Sequence, residues 1–204
     1  MGHFTVRASE IETALTRAIS AQWNCPVFSL AATRPEEMGS LMPPFLVEAL
    51  GALPVRISGG KLLYLAFSER IDRSLGYAVE HMTGLRVSGE IARESEFRRE
   101  QSRFLSAAAR KTRFLEAGNQ PALARGISAW IEEQRPIEAR LARVHEVWWL
   151  RIWRRASRGA SLGAPEAVED LLATVGSGAG ERELEENPVS PIRNAEGNGA
   201  SCRE

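Results

Sequence analysis

Apolar and polar positions change period along this chain, and the changes mark its elements. From Leu53 to Ser68 the sequence reads LPVRISGGKLLYLAFS. Leu53, Val55 and Ile57 alternate with Arg56 and Ser58, and Ser58-Gly59-Gly60-Lys61 then leads into a second apolar run, Leu62 to Phe67. Two such runs joined by Gly-Gly predict a β-hairpin, because a two-residue turn needs the positive φ that glycine adopts at little steric cost. Helical spacing surrounds this hairpin. Ser9, with Glu12 three residues on, predicts a capping box ahead of Ile11, Leu15, Ala18, Ile19 and Gln22. Asn24-Cys25-Pro26 ends that helix, and Val27, Phe28 and Leu30 predict a short strand. Arg34-Pro35-Glu36-Glu37 opens a second helix carrying Met38, Leu41 and Met42, and Pro43-Pro44 breaks it. Phe45 to Leu50 is a further turn or short helix, closed by Gly51. Arg70 to Met82 is amphipathic, with Ile71, Leu75, Ala78, Val79 and Met82 on one face and Thr83-Gly84 as its stop. Leu85 to Ile91 predicts a strand, and Ser95 to Leu105 a charged helix with Phe97, Phe104 and Leu105 inward. This order predicts an α+β fold, a small layered domain over residues 1–105 with a central hairpin and short strands packed by helices.

Residues 106–158 form a second unit. Asn119-Gln120-Pro121 starts a helix holding Leu123, Ile127, Trp130 and Ile131, and Gln134-Arg135-Pro136 ends it. Ile137 to Arg155 then reads IEARLARVHEVWWLRIWRR and admits two structures. As strands, Ile137 to Val144 and Val147 to Trp153 pair across His145-Glu146. As one helix, Leu141, Val144, Trp148 and Ile152 share a face flanked by arginines, which suits an anionic lipid surface. The β-propensity of Val, Ile and Trp favours the strands. From Ala156 onward Ser, Gly, Ala, Pro and Glu dominate. Residues 159–204 are therefore expected as a disordered acidic tail, with Glu166 to Val175 as a candidate short helix within it.

Charge adds an asymmetry that the net value of zero conceals. Residues 93–158 hold 15 basic and 8 acidic side chains, and residues 159–204 hold 3 basic and 9 acidic. A basic middle beside an acidic end can pair internally or bind an acidic partner. The start of the chain lacks the basic and apolar pattern of a signal peptide, and no uncharged apolar run approaches the ~20 residues needed to span a bilayer. The expected location is cytoplasmic. Cys25 and Cys202 are the two cysteines and sit far apart, which supports neither a zinc site nor a disulfide framework.

Little in the sequence points to catalysis. His3, His81 and His145 have no second ligand at metal spacing, and on a strand the side chains of His145 and Glu146 point apart. There is no GxxxxGK[ST] phosphate loop, and Ser58 to Lys61 is explained by a turn. Glu132-Glu133 and Glu185-Glu186 read as solvated charges. Candidate partner-binding residues are Arg143, Trp148, Trp149, Arg151, Trp153 and Arg154, because arginine and aromatics are enriched at binding hot spots. On that expectation, glutamate at 151 and 154 weakens a contact with little loss of stability. Stacking of single-stranded nucleic acid on the tryptophans is disfavoured by the neutral charge and acidic end.

Glu10 to about Arg103 resembles the N-terminal domain of type II secretion and type IV pilus assembly ATPases, the protein E family. The resemblance rests on Gln22 followed by Cys25-Pro26-Val27-Phe28-Ser29-Leu30. It rests also on Met42-Pro43 ahead of Ala52-Leu53-Pro54-Val55, and on Thr83-Gly84-Leu85-Arg86-Val87. Gly126 to Arg155 looks like a worn copy of the opening of the next ATPase domain, and the chain has no motor. The resemblance implies a non-catalytic adaptor or regulatory module, without cofactor or metal. Its partner would be a secretion or pilus assembly component at the inner membrane. The alternative it implies is a cyclic di-GMP sensor. The Arg-Leu-Gly motif of the sensing members does not occur here, so no ligand-binding residue is carried over.

Overall fold

The hairpin forms as its pattern predicts. β2 (Ala52–Ser58) and β3 (Leu62–Phe67) pair antiparallel. Gly59 and Gly60 turn at φ 57° and 67°, and the Lys61 N–H donates to the Ser58 carbonyl at 3.2 Å. Two left-handed turn residues match the twist of the flanking strands. The computed structural model describes residues 7–31, 38–107, 112–154 and 168–176.

Parallel strands extend the hairpin into a sheet. β4 (Arg86–Ala92) lies parallel to β3, and β1 (Val27–Phe28) lies parallel to β4, giving the order β1-β4-β3-β2. The crossover between β3 and β4 is α3 (Arg73–Thr83). Its N-cap is Asp72, which accepts the Leu75 N–H at 3.1 Å. Its C-cap is Gly84 at φ 72°, as the sequence predicts. Leu75, Ala78, Val79 and Met82 of α3 enter a core with Leu53, Leu63, Leu65 and Phe67. α1 (Ala8–Trp23), α2 (Pro44–Leu50) and α4 (Glu94–Ala107) complete this first layer structure.

Three details of the first unit differ from expectation. α1 begins after Arg7 rather than Ser9, and the Arg7 N–H donates to Glu10 at 3.2 Å. Glu12 does not cap its own helix. It accepts the Ser95 N–H at 2.7 Å, so a side chain of α1 caps the start of α4. That bond holds the Glu12 carboxyl below the usual carboxylate range. The helix expected from Arg34 to Met42 falls partly on residues 32–37, outside the described residues, and Met38 to Met42 forms turns. A strand of six residues cannot be told from a loop by its own composition when its partner is far away, and β5 (Thr112–Ala117) was not legible in the sequence for that reason.

The second sheet is built from both ends of the remaining chain. β6 (Glu138–Val144) and β7 (Val147–Trp153) form the favoured antiparallel hairpin, turning at His145 with φ 53°. α5 (Gln120–Gln134) starts where Asn119 accepts the Ala122 N–H at 2.9 Å. β8 (Val168–Val175) inserts between β5 and β7, for the order β5-β8-β7-β6. This corrects the expectation of a short helix or a tail at those residues. β8 alternates two buried faces, and its ladder partners on both sides lie at least 15 residues away in sequence. The rest of the expected tail, 159–167 and 177–204, lies outside the described residues.

Strand alternation divides the second sheet between two cores. Leu150, Ile152, Leu171 and Ala173 face α5 and meet Leu123, Ile127 and Trp130. Val144, Trp149 and Leu172 face the other way and join the core of the first sheet. The fold is α+β, with the second sheet covered on one face by α5 and on the other by the first unit. Among the described residues no helix is long and apolar enough to cross a membrane.

Candidate functional site

β7 places its side chains by parity. Trp149, Arg151 and Trp153 point towards the first unit, and Trp148, Leu150 and Ile152 point towards α5. Trp149 is fully buried, Arg151 is 2% exposed and Trp153 is 8% exposed. Arg151 forms a two-pronged ion pair with Asp170 of β8, Nε to Oδ1 at 2.8 Å and Nη2 to Oδ2 at 2.9 Å. The Trp149 indole N–H donates to the same Asp170 Oδ1 at 2.8 Å, and Arg151 Nη1 donates to the Leu41 carbonyl at 3.0 Å. The two charges are thus matched in a bidentate geometry, which is what makes a buried pair tolerable. The Leu41 bond ties this pair to the segment ahead of α2.

The expected partner-binding set therefore divides. Trp149, Arg151 and Trp153 are interior, and they are corrected from contact surface to the joint between the two sheets. Arginine and aromatics on one strand predict a surface, and α5 and the first unit, which local spacing does not place over β7, cover it instead. Arg143 and Trp148 are cross-strand neighbours at the hairpin end, with the guanidinium 5.6 Å from the indole centroid. Arg143 also pairs with Glu146 at 3.0 Å and donates to the His145 carbonyl at 2.8 Å. Arg154 lies at the opposite end of β7, bonded to Gln134 and paired with Glu169 at 2.9 Å. The structure does not bring Arg143 and Arg154 together.

An open cleft of about 410 Å³ lies where α2, α4, the β3–α3 loop and the β6–β7 turn meet. Arg70, Asp72, Arg98, Gln101 and His145 line it. His145 Nε2 is 2.6 Å from Asp72 Oδ2, a contact the sequence reading of His145 missed because it joins residues 73 positions apart. Partial burial pushes Asp72 up. The hydrogen bonds from His145 and from the Leu75 and Ser74 amides outweigh it, with the His145 charge, and hold the carboxyl below the usual carboxylate range. The stability this gives is present above about pH 4 and is lost as the pH falls through the lowered value.

A second acid behaves in the opposite way. Glu90 of β4 is 6% exposed, and its Oε2 has no hydrogen-bond partner among the described residues. Burial pushes its carboxyl above the usual range, against the Ser88 hydroxyl bond and the charge of Arg56. Arg56 itself lies over the stacked rings of Phe28 and Tyr64, at 4.9 and 4.4 Å. Burial and the charge of Glu90 also push the Cys25 thiol up, so it is held as the unreactive thiol. A raised carboxyl stabilises the fold below about pH 4, and that contribution is lost as the pH rises. Glu90→Gln is accordingly expected to raise the melting temperature at pH 7 and to match the parent protein near pH 4. Thermal melts at the two pH values check this.

Among the exposed apolar side chains of the described residues, two sit together on α1. α1 turns Ile11 and Leu15, one turn apart, to solvent at 57% exposure each, while Thr16 is buried. The helix rests on the core through Ile19 and Trp23 instead. Among the described residues no group of three or more His, Cys, Asp or Glu is placed to hold a metal ion. No family model matches the chain, and no curated protein matches it.

Proposed function

We propose that the protein is a non-catalytic adaptor or regulatory interaction module with α1 as its contact surface. The exposed pair Ile11 and Leu15 carries this reading. Two large aliphatic side chains at i and i+4 on an unburied helix face are the anchors by which amphipathic helices dock. The resemblance of Glu10 to Arg103 to secretion and pilus ATPase N-terminal domains supports the kind of partner, the cytoplasmic part of an inner-membrane assembly component. The protein would then act in the cytoplasm, peripheral to that membrane. Affinity capture from lysate of the native host tests it. Recovery of a secretion or pilus component by the parent protein, and its loss with Ile11→Glu and Leu15→Glu together, is the expected outcome. Equal recovery by both forms would remove α1 from the contact. Both positions are exposed, so the variant is expected to melt with the parent.

A second reading is a cyclic dinucleotide sensor using the cleft at the sheet junction, whose wall carries Arg70 and Arg98 together with Glu48, Glu69 and Asp72. Cyclic di-GMP at 100 times its dissociation constant would stabilise the protein by about 2.7 kcal/mol in a thermal-shift scan. Absence of any shift leaves the adaptor alone.

A further inference from the structure

The two sheets have four edge strands, and three of them are defended. β1 has two residues. β2 carries Pro54 and an irregularity in register between Pro54 and Arg56. β6 is charged at Glu138, Arg140 and Arg143, and α3 lies against it, with Arg140 donating to the His81 carbonyl at 2.8 Å. Short edges, proline, bulges, charge and covering helices are the means by which proteins prevent unwanted strand addition. β5 carries Arg113 and Glu116 and has α5 on one face, but it has no proline and no bulge, and among the described residues nothing pairs with its outer edge. It is six regular residues, TRFLEA, pairing with β8 on one side and with no described strand on the other.

The side chains on β5 also have a polarity. Phe114 is 63% exposed and meets Phe45 of α2 edge-to-face, with ring centroids 5.3 Å apart. Phe45 is itself 40% exposed, so the two rings form an apolar notch beside the free edge. On the opposite face of the strand, Arg113 is exposed and makes no ion pair with any described residue. We propose that the free edge of β5 accepts an extended peptide from a partner protein as an added strand, with apolar side chains in the Phe45–Phe114 notch and an acidic side chain against Arg113. Backbone hydrogen bonds along the edge supply affinity, and the two faces supply selectivity. This surface is separate from α1, so its failure leaves the α1 reading standing.

The test uses the full chain and two blocked heptapeptides, one alternating valine with glutamate and one alternating valine with lysine. Fluorescence anisotropy is expected to show the glutamate peptide binding about fivefold tighter, from one favourable cross-strand charge contact replaced by an unfavourable one. Arg113→Glu should invert that order, and Phe114→Ser should weaken both peptides. Amide exchange should slow between Arg113 and Glu116 on addition of the glutamate peptide. Equal binding of the two peptides, or no binding of either, overturns the proposal. So does protection of those amides in the protein alone, whether from a second copy, shown by sedimentation, or from its own chain beyond Gly176.

Discussion

Arg151→Ala is expected to lower stability by about 3–5 kcal/mol, because it removes the bidentate guanidinium from a buried ion pair. For a chain of this size that corresponds to a fall of about 6–20 °C in melting temperature. The same variant strips a donor from the Leu41 carbonyl, so the loss is felt at the contact between the two sheets as well as within the second. Replacing the pair together, Arg151→Met with Asp170→Leu, is expected to recover only part of the loss, since an apolar pair avoids the desolvation cost of the charges but leaves the Trp149 indole N–H and the Leu41 carbonyl without their partners. Urea denaturation of the three variants checks both statements. An alanine variant as stable as the parent would show that the pair contributes nothing. Arg151→Glu would set two carboxylates against each other in the interior, so the sequence-based expectation of a harmless surface substitution is replaced by one of unfolding. Arg154, which is 45% exposed, remains a position where glutamate is tolerated.

Gly89→Ala is expected to cost about 1–3 kcal/mol, the range for forcing one methyl into a packed site. A Cβ at Gly89 would lie 2.8 Å from Ile71 Cγ2 and 3.4 Å from Phe67 Cε2. Ile71 is β-branched and stiff at χ1, so its methyl does not move aside cheaply. Ile71→Ala should relieve the clash, and Ile71→Val, which keeps both branches at Cβ, should not. Denaturation of the double variants checks this coupling, and simple additivity of Gly89→Ala with Ile71→Ala would refute the contact as the cause.

These two sites show what the sequence made legible. The first unit was readable because its signals are local. The Gly59-Gly60 turn, the Gly84 stop and the 3.6-residue spacing of Leu75, Val79 and Met82 each lie within one element. The β6–β7 hairpin was readable for the same reason, from β-branched and aromatic residues on either side of a two-residue turn. β8 was not. EDLLATV has the length and composition of a helix as much as a strand, and the choice was made by β5 and β7. Missing β8 meant missing Asp170, and without Asp170 the arginine at 151 had no reason to be inside. The orientation of α1 was also hidden. Its apolar stripe predicts a buried face, but Glu12 capping α4 and Thr16 under the helix turn Ile11 and Leu15 outward. The Asp72–His145 contact joins a helix cap to a hairpin tip and leaves no trace in local spacing.

The position of β8 has a consequence for how the protein is made. It is the last described strand to be synthesised, yet it occupies the second place in its sheet, with β5 and β7 as its neighbours. Until Val168 to Val175 has left the ribosome, β5 has no ladder partner and Arg151 has no carboxylate. The first sheet, complete by Ala92, can form while the chain is still growing, but the second closes in one late step that brings distant segments together. Nascent chains paused before Val168 would expose two strand edges and an unneutralised guanidinium, which makes them the species that chaperones should hold.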